Sequence, residues 1–328
     1  MSTKKEERAK RFESKADMLR VEADRLSSDV KRKEKASMLR SESGEYANRA
    51  NNLRDVPEVT ISDNESLLQI TKVTKVFAPG TVNEKIALDN INLNVKKGDV
   101  ICVIGSNGSG KSTLFNMISG TFPVTSGSIV LDGKDITKQP EYKRAMSIGR
   151  VFQDPTKGTS ANMSIEDNMM LASRKGMRGI TFTLNARTRA YYQELLKPIH
   201  LEERLKDNVG LLSGGQRQAL TLLMTTMSKP SLLLLDEHTA ALDPGNAQIV
   251  MDFTKEYIER DKLTAMMVTH NMQFAIDYGN RLIMMDRGHI ILDIDGEEKT
   301  HLTVPELVER FKEISNSDYT SDEGLLTK

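Results

Sequence analysis

The sequence predicts an α/β protein in which buried parallel strands form a core, antiparallel strands precede it and a helix-rich segment interrupts it. Three observations carry that prediction. The apolar, β-branched run Val100-Ile101-Cys102-Val103-Ile104 leads through a glycine-rich turn into Thr113-Leu114-Phe115-Asn116-Met117-Ile118, which can begin a helix. Leu232-Leu233-Leu234-Leu235, bounded behind by Pro230, is apolar throughout and ends in Asp236-Glu237, as a buried parallel strand does. Residues 67–77 and 86–95 instead alternate apolar with polar residues, which predicts an antiparallel β layer ahead of the core strand.

In chain order, residues 1–56 come first and are set apart by composition. Lys, Arg, Glu, Asp, Ser and Ala dominate there, with no Pro and Gly44 as the only glycine. Lys15-Ala16-Asp17-Met18-Leu19-Arg20 nearly repeats as Lys35-Ala36-Ser37-Met38-Leu39-Arg40. Ala16, Leu19, Ala23, Leu26 and Val30 hold a heptad-like stripe that slips before Ala36 and Leu39, so the expectation is a charged helical or partly disordered N-terminal extension. The α/β core is expected to run from the β layer to about Arg150, and the helix-rich segment to span about 160–228. Strands ending at Asp236 and Thr269 then return to the core. Residues 281–286 and 289–292, joined by Arg287-Gly288, read as a closing hairpin. A C-terminal helix over about 304–314 and a mobile polar tail complete residues 301–328.

The glycine-rich turn reads Gly105-Ser106-Asn107-Gly108-Ser109-Gly110-Lys111-Ser112 and satisfies G-x-x-x-x-G-K-[ST] at every fixed position, between a strand and a helix as that motif requires. Glycines let successive N–H groups point inward at phosphate oxygens, and the helix N-terminus adds partial positive charge. Lys111 is expected to reach the β- and γ-phosphates, and Ser112 to offer its hydroxyl to Mg2+, with Thr113 closing the nucleotide-binding run. The core is therefore expected to be that of a P-loop NTPase. An acid at the C-terminal end of a parallel strand stands beside such a loop, where Asp236 can hold Mg2+ through water and Glu237 can polarise an attacking water.

Between these lies Leu212-Ser213-Gly214-Gly215-Gln216-Arg217-Gln218. Ser213 and Gln216 have the spacing of a capping box, and Ala219, Leu222, Leu223 and Met227 recur at helical spacing, so a helix begins here. Two glycines and a serine at its start also leave its N–H groups open to a phosphate. This segment resembles the signature motif of the ATP-binding cassette (ABC) ATPases, which implies a helical subdomain carrying that motif. Other positions match the family one by one. Gln153 in Val151-Phe152-Gln153-Asp154 resembles the Q-loop glutamine, near Mg2+ and water. His270 in Val268-Thr269-His270-Asn271 resembles the switch histidine at the γ-phosphate, and Asp243 in Leu242-Asp243-Pro244 the D-loop aspartate. Phe77 in Lys75-Val76-Phe77-Ala78-Pro79 occupies the place of the aromatic that stacks on adenine. The resemblance covers about residues 66–300, roughly seven-tenths of the chain.

It implies that ATP and Mg2+ are bound and that ATP is hydrolysed. It also implies a second ATPase subunit whose signature completes the site, a separate membrane permease and the cytoplasmic face of the cell membrane as the place of work. Asp236-Glu237-His238-Thr239-Ala240-Ala241-Leu242-Asp243-Pro244 resembles a bacterial subgroup described as amino-acid importers, which implies an extracytoplasmic binding protein in the same system. Many members have proline where this chain has His238; a surface loop histidine is expected there, in preference to an extra proton carrier beside Glu237. After the Q-loop, Met163, Met169, Met170 and Met177 offer adaptable contacts to a permease where exposed, or pack inside the lobe.

Composition bounds the alternatives. Lys plus Arg and Asp plus Glu both number 46, so no global field favours nucleic acid, and no nucleic-acid partner is expected. Cys102, the single cysteine, cannot form an internal disulfide. The polar N-terminus does not read as a signal peptide, and no apolar run approaches the roughly 20 residues that cross a bilayer. A chromosome-maintenance ATPase needs a very long coiled coil between phosphate loop and signature, and a translation factor of this type needs two cassettes; neither is present.

Overall fold

The computed structural model describes Asp17 and residues 65–173 and 184–323. The chain divides between Ser62 and Asp63 into two compact units, and apart from Asp17 everything below belongs to the second. The extension expected over 1–56, Met177 and residues 324–328 of the expected tail otherwise lie outside the described residues.

The alternating segments form β1 (Ser66–Phe77) and β2 (Lys85–Lys96), paired antiparallel with Leu68 opposite Val95 and Ile70 opposite Leu93. β3 (Val100–Gly105) then runs into α1 (Lys111–Ser119). β4 (Ser126–Leu131) and the short β5 (Lys134–Asp135) return to the first sheet, whose order is β2-β1-β4-β5. β4, which lies between β3 and Arg150 in the sequence, thus joins the antiparallel layer. Ile129 and Leu131 face Ile70 and Leu68 across β1, so burial of one shared face draws the strand to the antiparallel layer.

A short helix α2 (Glu141–Arg144) leads to β6 (Ile148–Val151). Arg144 is buried and its guanidinium donates to the carbonyls of Met117 and Ile118 at 2.7 and 3.0 Å, satisfying the end of α1. The helix-rich segment holds α3 (Ile165–Ala172), α4 (Ala186–Leu196) and α5 (Gly214–Met227), with three short 3-10 turns between α4 and α5. β7 (Leu232–Asp236), α6 (Pro244–Asp261), β8 (Thr264–Val268), α7 (Met272–Asp277) and the hairpin β9 (Arg281–Asp286) and β10 (His289–Asp295) follow. α8 (Gly296–Thr300) and α9 (Val304–Glu323) end the described chain, α9 extending into the stretch expected to be a tail.

The second sheet has the order β10-β9-β3-β8-β7-β6, with all pairs parallel except the hairpin. Its central strands are apolar between their ends because both faces are covered. Ile101, Val103, Leu232, Leu234, Met266 and Val268 pack towards α1 and the antiparallel sheet. Their neighbours Cys102, Ile104, Leu233, Leu235, Ala265 and Met267 pack towards the opposite core, which includes residues of α5 and α6. Burial pushes the Cys102 thiol up to about 12.

Candidate functional site

The phosphate loop sits where β3 turns into α1, and two of its glycines are obligatory. A Cβ at Gly105, where φ is 147°, lies 2.1 Å from the carbonyl oxygen of Met285; one at Gly110, where φ is 107°, lies 2.8 Å from that of Ala87. The loop is braced from outside by the β9–β10 turn. Ser106 Oγ donates to Asp286 Oδ1 at 3.0 Å, and Gly288 N–H donates to Ser109 O at 2.9 Å. Lys111, 5% exposed, folds its ammonium back onto the carbonyls of Gly105 and Ser106, both at 2.9 Å. Burial pulls its pKa down while the nearby charges of Glu237 and Asp236 oppose that shift. Ser109 Oγ is buried and has no hydrogen-bond partner among the described residues.

Phe77, Asn107, Gly108, Gly110, Lys111, Ser112, Thr113 and Glu237 line one cavity of about 260 Å3. The Phe77 ring meets Phe122 edge-on, with centroids 5.3 Å apart. Ser112 is exposed and Thr113 half-buried.

The carboxylates at the end of β7 have different partners. Asp236 Oδ2 accepts from Arg150 Nη2 at 2.8 Å, and Arg150 Nη1 donates to Asn116 Oδ1 of α1 at 2.7 Å. The same guanidinium lies 4.7 Å over the Phe152 ring. Glu237 Oε1 lies 2.7 Å from His270 Nε2; the glutamate side chain is 15% exposed and the histidine's 46%. The expectation for His238 is overturned. It is 2% exposed, beneath the turn, with Nε2 3.1 Å from Thr254 Oγ1 of α6. Burial pushes its pKa down to about 4, which removes both the surface role and the proton-carrier role at neutral pH.

A second group of expected residues gathers elsewhere. Ser213 caps α5 with a full capping box: Gln216 N–H donates to Ser213 Oγ, and Ser213 N–H donates to Gln216 Oε1, both at 3.2 Å. Ser213 and Gly214 are exposed, whereas Gly215 is buried against α6, where an added Cβ meets Asn246 at 3.2 Å. Asp243 caps α6, accepting from Asn246 N–H at 3.1 Å and from its side-chain amide at 2.6 Å; these bonds lower its pKa. Gln153 is exposed, and the preceding carbonyl of Phe152 accepts from Gln218 Nε2 of α5 at 3.1 Å. The structure thus joins Phe77, the loop, Glu237 and His270 in one neighbourhood, and Ser213, Gly214, Gly215, Gln216 and Asp243 in another.

Arg150 and Asp286 were missed in the sequence. Arg150 carried a signal, as a cation inside the strand Ile148-Gly149-Arg150-Val151, where burial demands a partner. Beside it a groove of about 530 Å3 is lined by Phe152, Lys157, Asn168, Leu171 and Met224 among others. Met169 packs in the core, Met163 and Met170 are half-buried, and Leu171 is 51% exposed.

The family model described as ABC transporter matches residues 88–240. A tyrosine transport ATP-binding protein of Clostridioides difficile is 41% identical over 249 residues, covering 75% of this chain and 99% of that protein. A methionine import ATP-binding protein of Corynebacterium efficiens is 34% identical, covering 67% of this chain and 60% of its own length. Among solved structures, an ATP-binding cassette of an ABC transporter in its ADP conformation superposes with a TM-score of 0.62 at 26% identity, covering 75% of this chain and 98% of that one. A dimeric bacterial ABC transporter cassette gives 0.60 at 30% identity, covering 70% and 98%. The chain belongs to the ABC transporter ATP-binding family: it is an ATPase subunit that powers transport through a separate permease.

Proposed function

We propose that this ATPase works as a head-to-tail homodimer at the cytoplasmic face of a membrane permease and powers import of an amino acid delivered by an extracytoplasmic binding protein. The observation that carries the reading of the site is the single cavity shared by Phe77, the phosphate loop and Glu237, with His270 against the glutamate. The cargo class rests on the tyrosine transport relative, at 41% identity over nearly all of its length. The groove beside Phe152, with the exposed Leu171 at its edge, is the surface assigned to the permease.

Adenine stacks on Phe77 and the phosphates enter the loop, where the Lys111 ammonium exchanges its two carbonyl partners for β- and γ-oxygens. The donor set suits Mg2+. No cluster of three or more His, Cys, Asp or Glu able to hold a metal exists among the described residues, while Ser112, Gln153 and Asp236 offer hard oxygen donors. Mg2+ characteristically takes one or two carboxylates together with substrate phosphates, and when bound it neutralises charge on them. Glu237 orients the attacking water, and His270 hydrogen-bonds both that carboxylate and the γ-phosphate. Ser213, Gly214 and Gly215 present the open first turn of α5 to the nucleotide of a facing copy, with Asp243 beside them. Closure then depends on the γ-phosphate, and its loss reopens the dimer.

The test is capture of the membrane partner in mild detergent, followed by proteoliposome uptake of labelled tyrosine and methionine with ATP on the subunit's side. ATP-dependent accumulation of either amino acid supports the proposal. A captured complex that hydrolyses ATP without moving any amino acid overturns the cargo class, and an ATPase that captures no membrane protein overturns the importer.

A further inference from the structure

The turn carrying Glu237 holds a backbone conformation that residues with a Cβ resist. Glu237 has φ of 48°, in the left-handed region. Such a conformation persists where the surroundings over-determine it. Two backbone bonds contribute: Glu237 N–H donates to Val268 O at 3.1 Å, and Ala240 N–H donates to Glu237 O at 2.9 Å. A cavity of about 310 Å3, lined by Leu235, Met251, Thr254, Ile258 and Met267 among others, opens between α6 and the strands.

His238 spans that interface with a polar bond whose direction follows from proton counting. The Thr254 hydroxyl owns one hydrogen, and Oγ1 lies 2.6 Å from Val250 O, which accepts only. The hydrogen therefore points at Val250, so Oγ1 must accept from His238 Nε2, 3.1 Å away. His238 is then the tautomer protonated on Nε2, and it ties the turn after Glu237 to α6, the helix capped by Asp243.

We propose that His238 is a positioning residue for ATP hydrolysis: its Nε2–H bond to Thr254 fixes the turn that aims the Glu237 carboxylate at water. This rests on the reading of Glu237 as the water-orienting group. In the full-length chain, His238→Leu and Thr254→Val are each expected to lower kcat about ten-fold with KM for ATP within about two-fold. His238→Gln, which returns an N–H near the Nε2 position, recovers most of the loss. The double variant His238→Leu/Thr254→Val is no slower than the slower single variant, because one bond is removed once. Thr254→Val exchanges a hydroxyl for a methyl group on another element, so the test survives if His238→Leu does not fold. Ring nitrogen NMR of the nucleotide-free protein reads the tautomer directly, with the His238→Gln spectrum assigning the signal. Unchanged kcat in Thr254→Val, a parallel rise in KM, or a proton on Nδ1 overturns the proposal. Turnover retained by Glu237→Gln overturns the reading of Glu237 beneath it, whereas an inactive Glu237→Gln beside a fully active Thr254→Val overturns the positioning role alone.

Discussion

Two helix N-termini in this chain, both assigned to phosphate in the proposed function, are built in opposite ways. The start of α1 is enclosed: Lys111 is buried, the loop is braced by Asp286 and Gly288, and Glu237 shares its cavity. The start of α5 is bare, with Ser213 and Gly214 exposed and only a capping box to satisfy it. The first is a cavity lined within one chain by Phe77, the phosphate loop and Glu237. The second leaves Ser213 and Gly214 open while Gly215 rests on Asn246 of α6, and on the proposed reading a facing copy completes it. Binding should therefore belong to the subunit, and turnover to the pair.

That contrast is broken most severely at Glu237. Glu237→Gln should lower turnover by about 100- to 1,000-fold while ATP still binds, because shape is kept and the water-orienting charge is lost. Size-exclusion chromatography with Mg-ATP should show the variant as a dimer, and a monomer under those conditions would separate closure from the signature helix. Gly215→Asp tests the other half. A carboxylate there meets Asn246 and repels phosphate, so dimer formation in the Glu237→Gln background should fall by more than about ten-fold, while equilibrium binding of a fluorescent ATP analogue to the monomer stays within about two-fold. Weakened monomer binding would place the signature inside the first pocket.

Smaller effects sharpen the boundary of the enclosed half. Phe77→Ala should raise KM for ATP by about ten-fold with kcat nearly unchanged, since stacking on a base is worth roughly 1–3 kcal/mol and is made equally in ground and transition states. An unchanged KM moves the stacking role to another side chain. Removal of residues 1–55, which lie in the other compact unit, should leave basal phosphate release within about two-fold. Loss of activity on that truncation would make the N-terminal segment part of the catalytic fold.

The enclosed half was legible in the sequence because local constraints write it locally. Gly105 and Gly110 stand where no Cβ fits, Lys111 opens the helix, and Leu232 to Leu235 are apolar on both faces because both faces are covered. Ser213 and Gln216 announced α5 through spacing alone, and the structure has that capping box. What stayed hidden depends on which elements meet in three dimensions. His238 reads as a polar loop residue until α6 brings Thr254 to it, and Arg150 reads as a lone charge until β7 brings Asp236. The passage of β4 to the antiparallel sheet is likewise decided by its match to Ile70 and Leu68, which alternation along β4 cannot reveal.

The Lys111 ammonium rests on two carbonyls of its own loop, and this bears on the calorimetry of nucleotide uptake. A loop that already holds its cation on its own carbonyls gives up those two contacts when ATP arrives. Uptake by the monomer is then an exchange of one set of oxygens for another, so its heat capacity change should be dominated by adenine leaving water.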